Sequence, residues 1–90
     1  MKYEVDMSEK AVKALKKMDK YTAKLITSWI SNNLQNCEDP RRHGKALTAN
    51  RAGQWRYRVG DYRIIAEIQD QKIIIYILDI GHRKNIYKEQ

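Results

Sequence analysis

Apolar residues recur along the chain with two different periods, and the change of period divides it. Lys2 to Asp6 alternates polar and apolar and predicts a short strand. Ser8 is placed to cap a helix, because its hydroxyl can accept a first-turn N–H. Behind it Ala11, Val12, Leu15 and Met18 recur at helical spacing with lysines between them, the stripe of an amphipathic helix. A break at Asp19-Lys20 starts a second helix, with Leu25, Ile26, Trp29, Ile30 and Leu34 as its stripe. The two helices are expected to form a hairpin, and Pro40 ends this region. Cys37, at the end of the second stripe, reads as a packing residue. Residues 38–53 form a polar, basic connection containing Gly44 and Gly53, with Leu47 as its core anchor and His43 as a loop residue.

The period then becomes two. Trp55, Tyr57 and Val59 alternate with Arg56 and Arg58, Gly60-Asp61 is a two-residue hairpin signal, and Tyr62, Ile64, Ala66 and Ile68 alternate with Arg63, Ile65 and Glu67. Asp70-Gln71 marks a second turn, and the β-branched run Lys72 to Ile80 predicts a central strand that Gly81 breaks. His82 to Gln90 reads as a short polar tail of one or two helical turns. The order βααβββ predicts an α+β fold in a single domain, residues 1–90. Its two-helix hairpin packs on one face of an antiparallel sheet, mixed at the N-terminal strand.

A two-residue turn at Gly60-Asp61 fixes a register in which Val59 faces Tyr62, Arg58 faces Arg63, Tyr57 faces Ile64 and Arg56 faces Ile65. Trp55, Tyr57, Val59, Tyr62 and Ile64 then share the core face, and Arg56, Arg58 and Arg63 share the other. Like charges facing each other across strands are destabilising, so three arginines gathered there point to a bound anion. On this reading the fold does not need the Arg63 charge. Ile65, Ile74, Tyr76 and Leu78 fall on the arginine side if the second turn is tight. Either a partner or the C-terminal tail must cover them.

Composition sharpens this picture. Ninety residues make one small domain, and 42% hydrophobic with 32% charged residues is a globular balance. No apolar run approaches the roughly 20 residues of a membrane helix, and the N-terminus does not read as a signal peptide. The single cysteine excludes an internal disulfide and fits a reducing cytoplasm. The net charge of +7 is concentrated in residues 41–66, where Arg41, Arg42, Lys45, Arg51, Arg56, Arg58 and Arg63 meet one acid, Asp61. All the arginines follow residue 40, and arginine's planar fork suits bidentate phosphate binding, so the window reads as a polyanion site. Arg83 and Tyr87, four apart, would share a helical face, with His82 just before them. Tyrosine or histidine can move protons, and arginine can stabilise a developing phosphorane charge. His43, His82 and Cys37 show no metal-ligand spacing, and there is no phosphate-binding glycine loop, nucleophile elbow or close carboxylate pair. Neither a metal nor a cofactor is expected.

The stretch Asp39-Pro40-Arg41-Arg42-His43-Gly44-Lys45-Ala46-Leu47 resembles the loop of RelE/ParE-type toxins. Gln54-Trp55-Arg56-Tyr57-Arg58-Val59-Gly60-Asp61-Tyr62-Arg63-Ile64-Ile65 resembles the family's hairpin, and Gly81-His82-Arg83-Lys84-Asn85-Ile86-Tyr87 its tail. The resemblance spans nearly the whole chain. It implies the toxin of a type II toxin–antitoxin pair, a metal-independent endoribonuclease that cuts messenger RNA, with the ribosome as its setting. It also implies a cognate antitoxin, and operator DNA bound by the complex through that antitoxin. By resemblance Arg56, Arg58, Arg63 and Arg83 bind substrate and stabilise charge, and Tyr87 matches the tail tyrosine that assists proton transfer; the other basic residues Arg42, Lys45, Arg51 and Lys84 are expected to contact RNA. Arg56 and Arg58 stand where the best-known RelE pattern has lysines. Arginine does not deprotonate, so proton transfer falls to Tyr87 or His82. Two other readings stay open: a ParE-type inhibitor of DNA gyrase without nuclease chemistry, and a non-catalytic RNA- or ribosome-binding module.

Overall fold

Ser8 caps the first helix as its position suggests: its Oγ accepts the Ala11 N–H at 3.1 Å. The same hydroxyl donates to the Leu78 carbonyl at 2.7 Å, tying the helix to the sheet. A computed structural model describes residues 1–87. The elements are β1 (Glu4–Met7), α1 (Glu9–Lys17), α2 (Lys20–Asn33), β2 (Lys45–Ala46), β3 (Trp55–Val59), β4 (Tyr62–Gln69) and β5 (Ile74–His82). Asp19 caps α2 by accepting the Thr22 N–H at 3.0 Å. After α2 the chain turns at Asn36, whose φ of +64° is the left-handed conformation that asparagine tolerates at helix ends.

The sheet order is β1-β5-β4-β3-β2, with β1 parallel to β5 and every other pair antiparallel. This is the expected α+β architecture with one strand more. Lys45-Ala46 is too short and too exposed to leave an alternation in the sequence, yet it pairs with Arg56 and Trp55. The core lies between the helices and one sheet face. It unites Ala11 of α1 and Ile26 and Ile30 of α2, with Leu34 beyond, and Tyr57, Val59, Ile64, Ala66, Ile75, Ile77 and Ile80 of the sheet. Cys37 packs against this cluster. Val12 and Leu25, placed on the buried stripes by periodicity, are 36% and 47% exposed. Ala14, at helical spacing from Ala11, packs on the core instead. Leu47 is only half-buried and stands outside the core.

The β3–β4 register is the one that the turn dictated: Val59 faces Tyr62 and Arg58 faces Arg63. Gly60 has φ of +58°, as the first turn position of a two-residue hairpin requires. The next connection departs from expectation. It spans residues 70–73 rather than two residues, so β5 begins at Ile74, and it continues through Gly81 to His82. The displacement is an even number of residues, so Ile74 and Tyr76 keep the face expected of them. A bulge then intervenes: Ile65 faces Asp79 while Ala66 faces Ile77, leaving Leu78 without a partner in the ladder. Beyond the bulge every side chain changes face. Ile80 joins the core, Gly81 lies opposite Arg63, and His82 lies opposite Tyr62.

Candidate nucleic-acid interface

The tail closes part of the second sheet face. After β5 the chain makes a helical turn in which Asn85 and Ile86 donate to the His82 carbonyl at 2.9 and 3.0 Å. This returns Ile86 over Gly81 so closely that a Cβ on the glycine would lie 2.9 Å from Ile86 Cδ1. Ile86 and Ile65 are both buried, outside the main core cluster. The tail's last residues, 88–90, lie outside those described.

Arg63 lies on the same face and is not a dispensable surface charge: the residue is only 8% exposed. Its Nη1 donates to the Gly60 and Tyr62 carbonyls, each at 3.0 Å, and so braces the hairpin turn. Burial, then the neighbouring Arg58 and Arg56 and finally Arg83, push its guanidinium below the ordinary value, and Tyr87 acts in the opposite sense. It remains charged at neutral pH, as arginine does in proteins. One partly desolvated cation thus has three further arginines and a phenol in its electrostatic surroundings. Arg83 donates its N–H to the Asp61 carbonyl at 2.7 Å, and its Nε lies 3.7 Å from the Asp61 carboxylate. That pair is well exposed and weak, so Asp61 positions Arg83 more than it neutralises it.

Tyr87 is brought beside this cluster. The Arg51 guanidinium stands over its ring, 5.9 Å from the centroid, and Arg51 also donates to Gln54 at 3.2 Å. The short 3₁₀ turn Ala49–Arg51 therefore supports the tail tyrosine across a gap in sequence. Lys45 faces Arg56 in the β2–β3 ladder and extends the basic surface outward.

His82, Arg42 and Lys84 are not gathered in this way. The bulge sets His82 opposite Tyr62, and the two rings meet edge to face at 5.4 Å on the helix side of the sheet. Its Nδ1 accepts the Lys84 N–H at 3.1 Å, and Lys84 itself is exposed. Arg42, also exposed, lines a separate polar depression with Asn32, Glu38 and Asp39. Two residues that periodicity assigned elsewhere stand beside the arginines. Trp29, read as helix stripe, and His43, read as loop, line a cavity with Lys45, Arg56 and Arg58. No spacing could reveal this, because the contact joins α2, a loop and β3. Among the described residues no three His, Cys, Asp or Glu side chains are grouped to hold a metal. None of the described helices is long and apolar enough to cross a membrane.

The family described as ParE toxin of type II toxin-antitoxin system, parDE, matches residues 5–87. The chain belongs to the RelE/ParE superfamily of toxins. Toxin RelG of Mycobacterium tuberculosis is 30% identical to this toxin over 88 residues, 98% of this chain and 99% of the relative. The toxin-antitoxin complex RelBE2 from the same organism contains a chain of the same fold, with TM-score 0.83 and 27% identity. That match covers 94% of this toxin and 95% of its counterpart. The archaeal RelE-RelB complex from Pyrococcus horikoshii gives TM-score 0.70 at 26% identity, covering 94% and 99% of the two chains.

Proposed function

We propose that this toxin is an endoribonuclease that cuts messenger RNA on the ribosome, without a metal ion, and so arrests translation. The observation that carries the reading is the surroundings of Arg63. A hairpin arginine, held by turn carbonyls, has Arg56, Arg58, Arg83 and Tyr87 as its electrostatic neighbours. Such a cluster suits a scissile phosphate. The 2′-hydroxyl of the preceding ribose attacks phosphorus, the P–O5′ bond breaks, and a 2′,3′-cyclic phosphate remains. Charge growing on the non-bridging oxygens is met by preorganised guanidinium donors. The 2′-hydroxyl gives up one proton and the departing O5′ takes one up, and Tyr87 assists this exchange; it stands by the cluster, whereas His82 faces Tyr62. The expected setting is the bacterial cytoplasm, with a cognate antitoxin as partner, as in the RelBE2 and RelE-RelB complexes of its relatives. The antitoxin would mask the basic face and carry the pair to operator DNA.

The test is cleavage of ribosome-bound messenger by purified toxin, with 5′ ends mapped by primer extension. Toxin treated with chelator before addition should cut as well as untreated toxin, and the new upstream ends should carry cyclic or 3′-phosphate. Loss of cutting restored by magnesium or zinc would refute the mechanism. The ParE description of the matching family favours one second reading, inhibition of DNA gyrase. Gyrase poisoning by a protein that leaves messenger intact would establish that reading instead.

A further inference from the structure

Among the described residues β2 pairs with β3 at Trp55 and Arg56 alone, and no strand pairs with the outer edge of β3 from Tyr57 onward. Arg58 lies on that stretch and is exposed. A cavity of about 320 Å³ flanks this edge, lined by Trp29, His43, Gly44, Lys45, Arg56 and Arg58. That volume is at the small end of the range for ligand sites, on the order of 300–1,000 Å³. Three cations line it and, among the described residues, no acid does. Its aromatic wall is rigid: the Trp29 and His43 rings meet edge to face at 5.7 Å, and Trp29 also packs on Tyr57 at 5.6 Å. The His43 carbonyl accepts the Trp55 indole N–H at 2.7 Å, which anchors the loop. Gly44 has φ of +83°, and a Cβ there would run into the Arg56 backbone, so no side chain can fill this part of the wall. Arg56 Nε is buried and has no hydrogen-bond partner among the described residues.

Resting on the reading of the arginine face as an RNA site, we propose that this cavity seats one further nucleotide of the RNA strand. Its base lies against the Trp29 and His43 rings, and its phosphate meets Lys45, Arg56 and Arg58. Aromatic faces beside cations are how single-stranded nucleic acid is held without sequence readout. The site is continuous with the scissile centre, because Arg58 faces Arg63, and facing Cα atoms lie about 4.5–5.5 Å apart. An acidic peptide would use the cations but leave the paired rings without a role.

Adenosine 5′-monophosphate titrated into the isotope-labelled full-length toxin tests this by nuclear magnetic resonance. The Trp29 indole N–H and Gly44 amide signals should move, at lower concentration than with adenosine or inorganic phosphate. His43→Ala, which keeps the backbone bond to Trp55, should weaken binding at least about five-fold, the lower end of base stacking. Arg58→Gln, at an exposed position, should abolish the advantage over adenosine. Inorganic phosphate binding as tightly as the nucleotide would overturn the proposal. So would shifts confined to Arg63 and Arg83, or an acidic peptide moving the Trp29 and Gly44 signals where the nucleotide does not. Cleavage assayed separately distinguishes the two readings. Nucleotide binding here by a toxin that never cuts upholds the site and refutes the nuclease; cutting with no shift at Trp29 overturns the site alone.

Discussion

Arg63 carries two roles that the sequence separates poorly. Alternation puts it on the arginine face, and there its charge reads as a cost that only a ligand offsets. Its burial is a matter of tertiary packing, on a face where Ile86 of the tail returns over Gly81 opposite it, so no pattern within the hairpin discloses it. Arg63→Ala removes the bonds to the Gly60 and Tyr62 carbonyls and also relieves repulsion from Arg58, Arg56 and Arg83. The bonds should win, with a net loss of about 1 kcal/mol measured by urea unfolding. Cleavage should fall further, by about 10²–10³, as when one transition-state donor is removed. Arg63→Lys should recover part of the activity, since its ammonium keeps the charge without the fork. Tyr87 and His82 separate in the same manner. Tyr87→Phe should slow cleavage by about 10²–10⁴, the usual worth of a positioned acid–base group. His82→Asn, whose side-chain oxygen can still accept the Lys84 N–H, should stay within about ten-fold of the parent. The reverse order of effects, read from single-turnover rates, would move proton transfer to His82.

The elements differ in how far sequence reveals them, and the reasons are physical. A two-residue turn leaves the β3–β4 hairpin one register, so facing pairs can be read directly from Gly60-Asp61. The β5 bulge has no such local signature. It sits where the Leu78 carbonyl accepts the Ser8 hydroxyl, a contact between residues 70 positions apart. That one extra residue carries His82 off the arginine face and Gly81 onto it, which is why the tail's chemistry was only half legible. Gly81 leaves room for Ile86, which packs over it within the turn that carries Arg83 and leads to Tyr87. Ile86→Ala should therefore cost about 2 kcal/mol, the low end for a buried isoleucine, in thermal or urea unfolding. It should also lower cleavage by more than the lost folded fraction explains, because the tail is no longer held. Gly81→Ala meets only the far end of a flexible side chain, so its effect should be small. Gly81→Val should reproduce the Ile86→Ala loss of activity with the core intact. Equal activity of all three variants at full folding would detach the tail from catalysis.

At the scale of the whole molecule, three distant segments are tied by one exposed cluster. Arg41, in the long connection, makes a two-pronged ion pair with Asp70 in the β4–β5 turn, at 3.0 and 2.9 Å. The Tyr3 hydroxyl, beside the first strand, donates to the same carboxylate at 2.7 Å. The connection that Arg41 pins also supplies the Pro40 carbonyl, which accepts the buried Tyr57 hydroxyl at 2.6 Å, and the His43 carbonyl that anchors Trp55. The cluster therefore steadies the loop behind the basic face without belonging to it. The guanidinium of Arg41, then the Tyr3 hydroxyl, holds the Asp70 carboxyl down at about 2, against an ordinary value of 3.8. A carboxyl depressed in the folded state contributes stability that is fully present above its unfolded pKa. That contribution is lost as pH falls from 3.8 through about 2. Asp70→Asn should consequently lower Tm at neutral pH, and the gap from the parent should close progressively across that acid interval. Exposure of the pair keeps the effect modest and sensitive to salt, so the comparison belongs at low ionic strength. A gap of constant size from neutral pH to below 2 would mean that Asp70 acts through shape and hydrogen bonding alone. No gap at any pH would mean that the loop is held by Tyr57 and Trp55 without it.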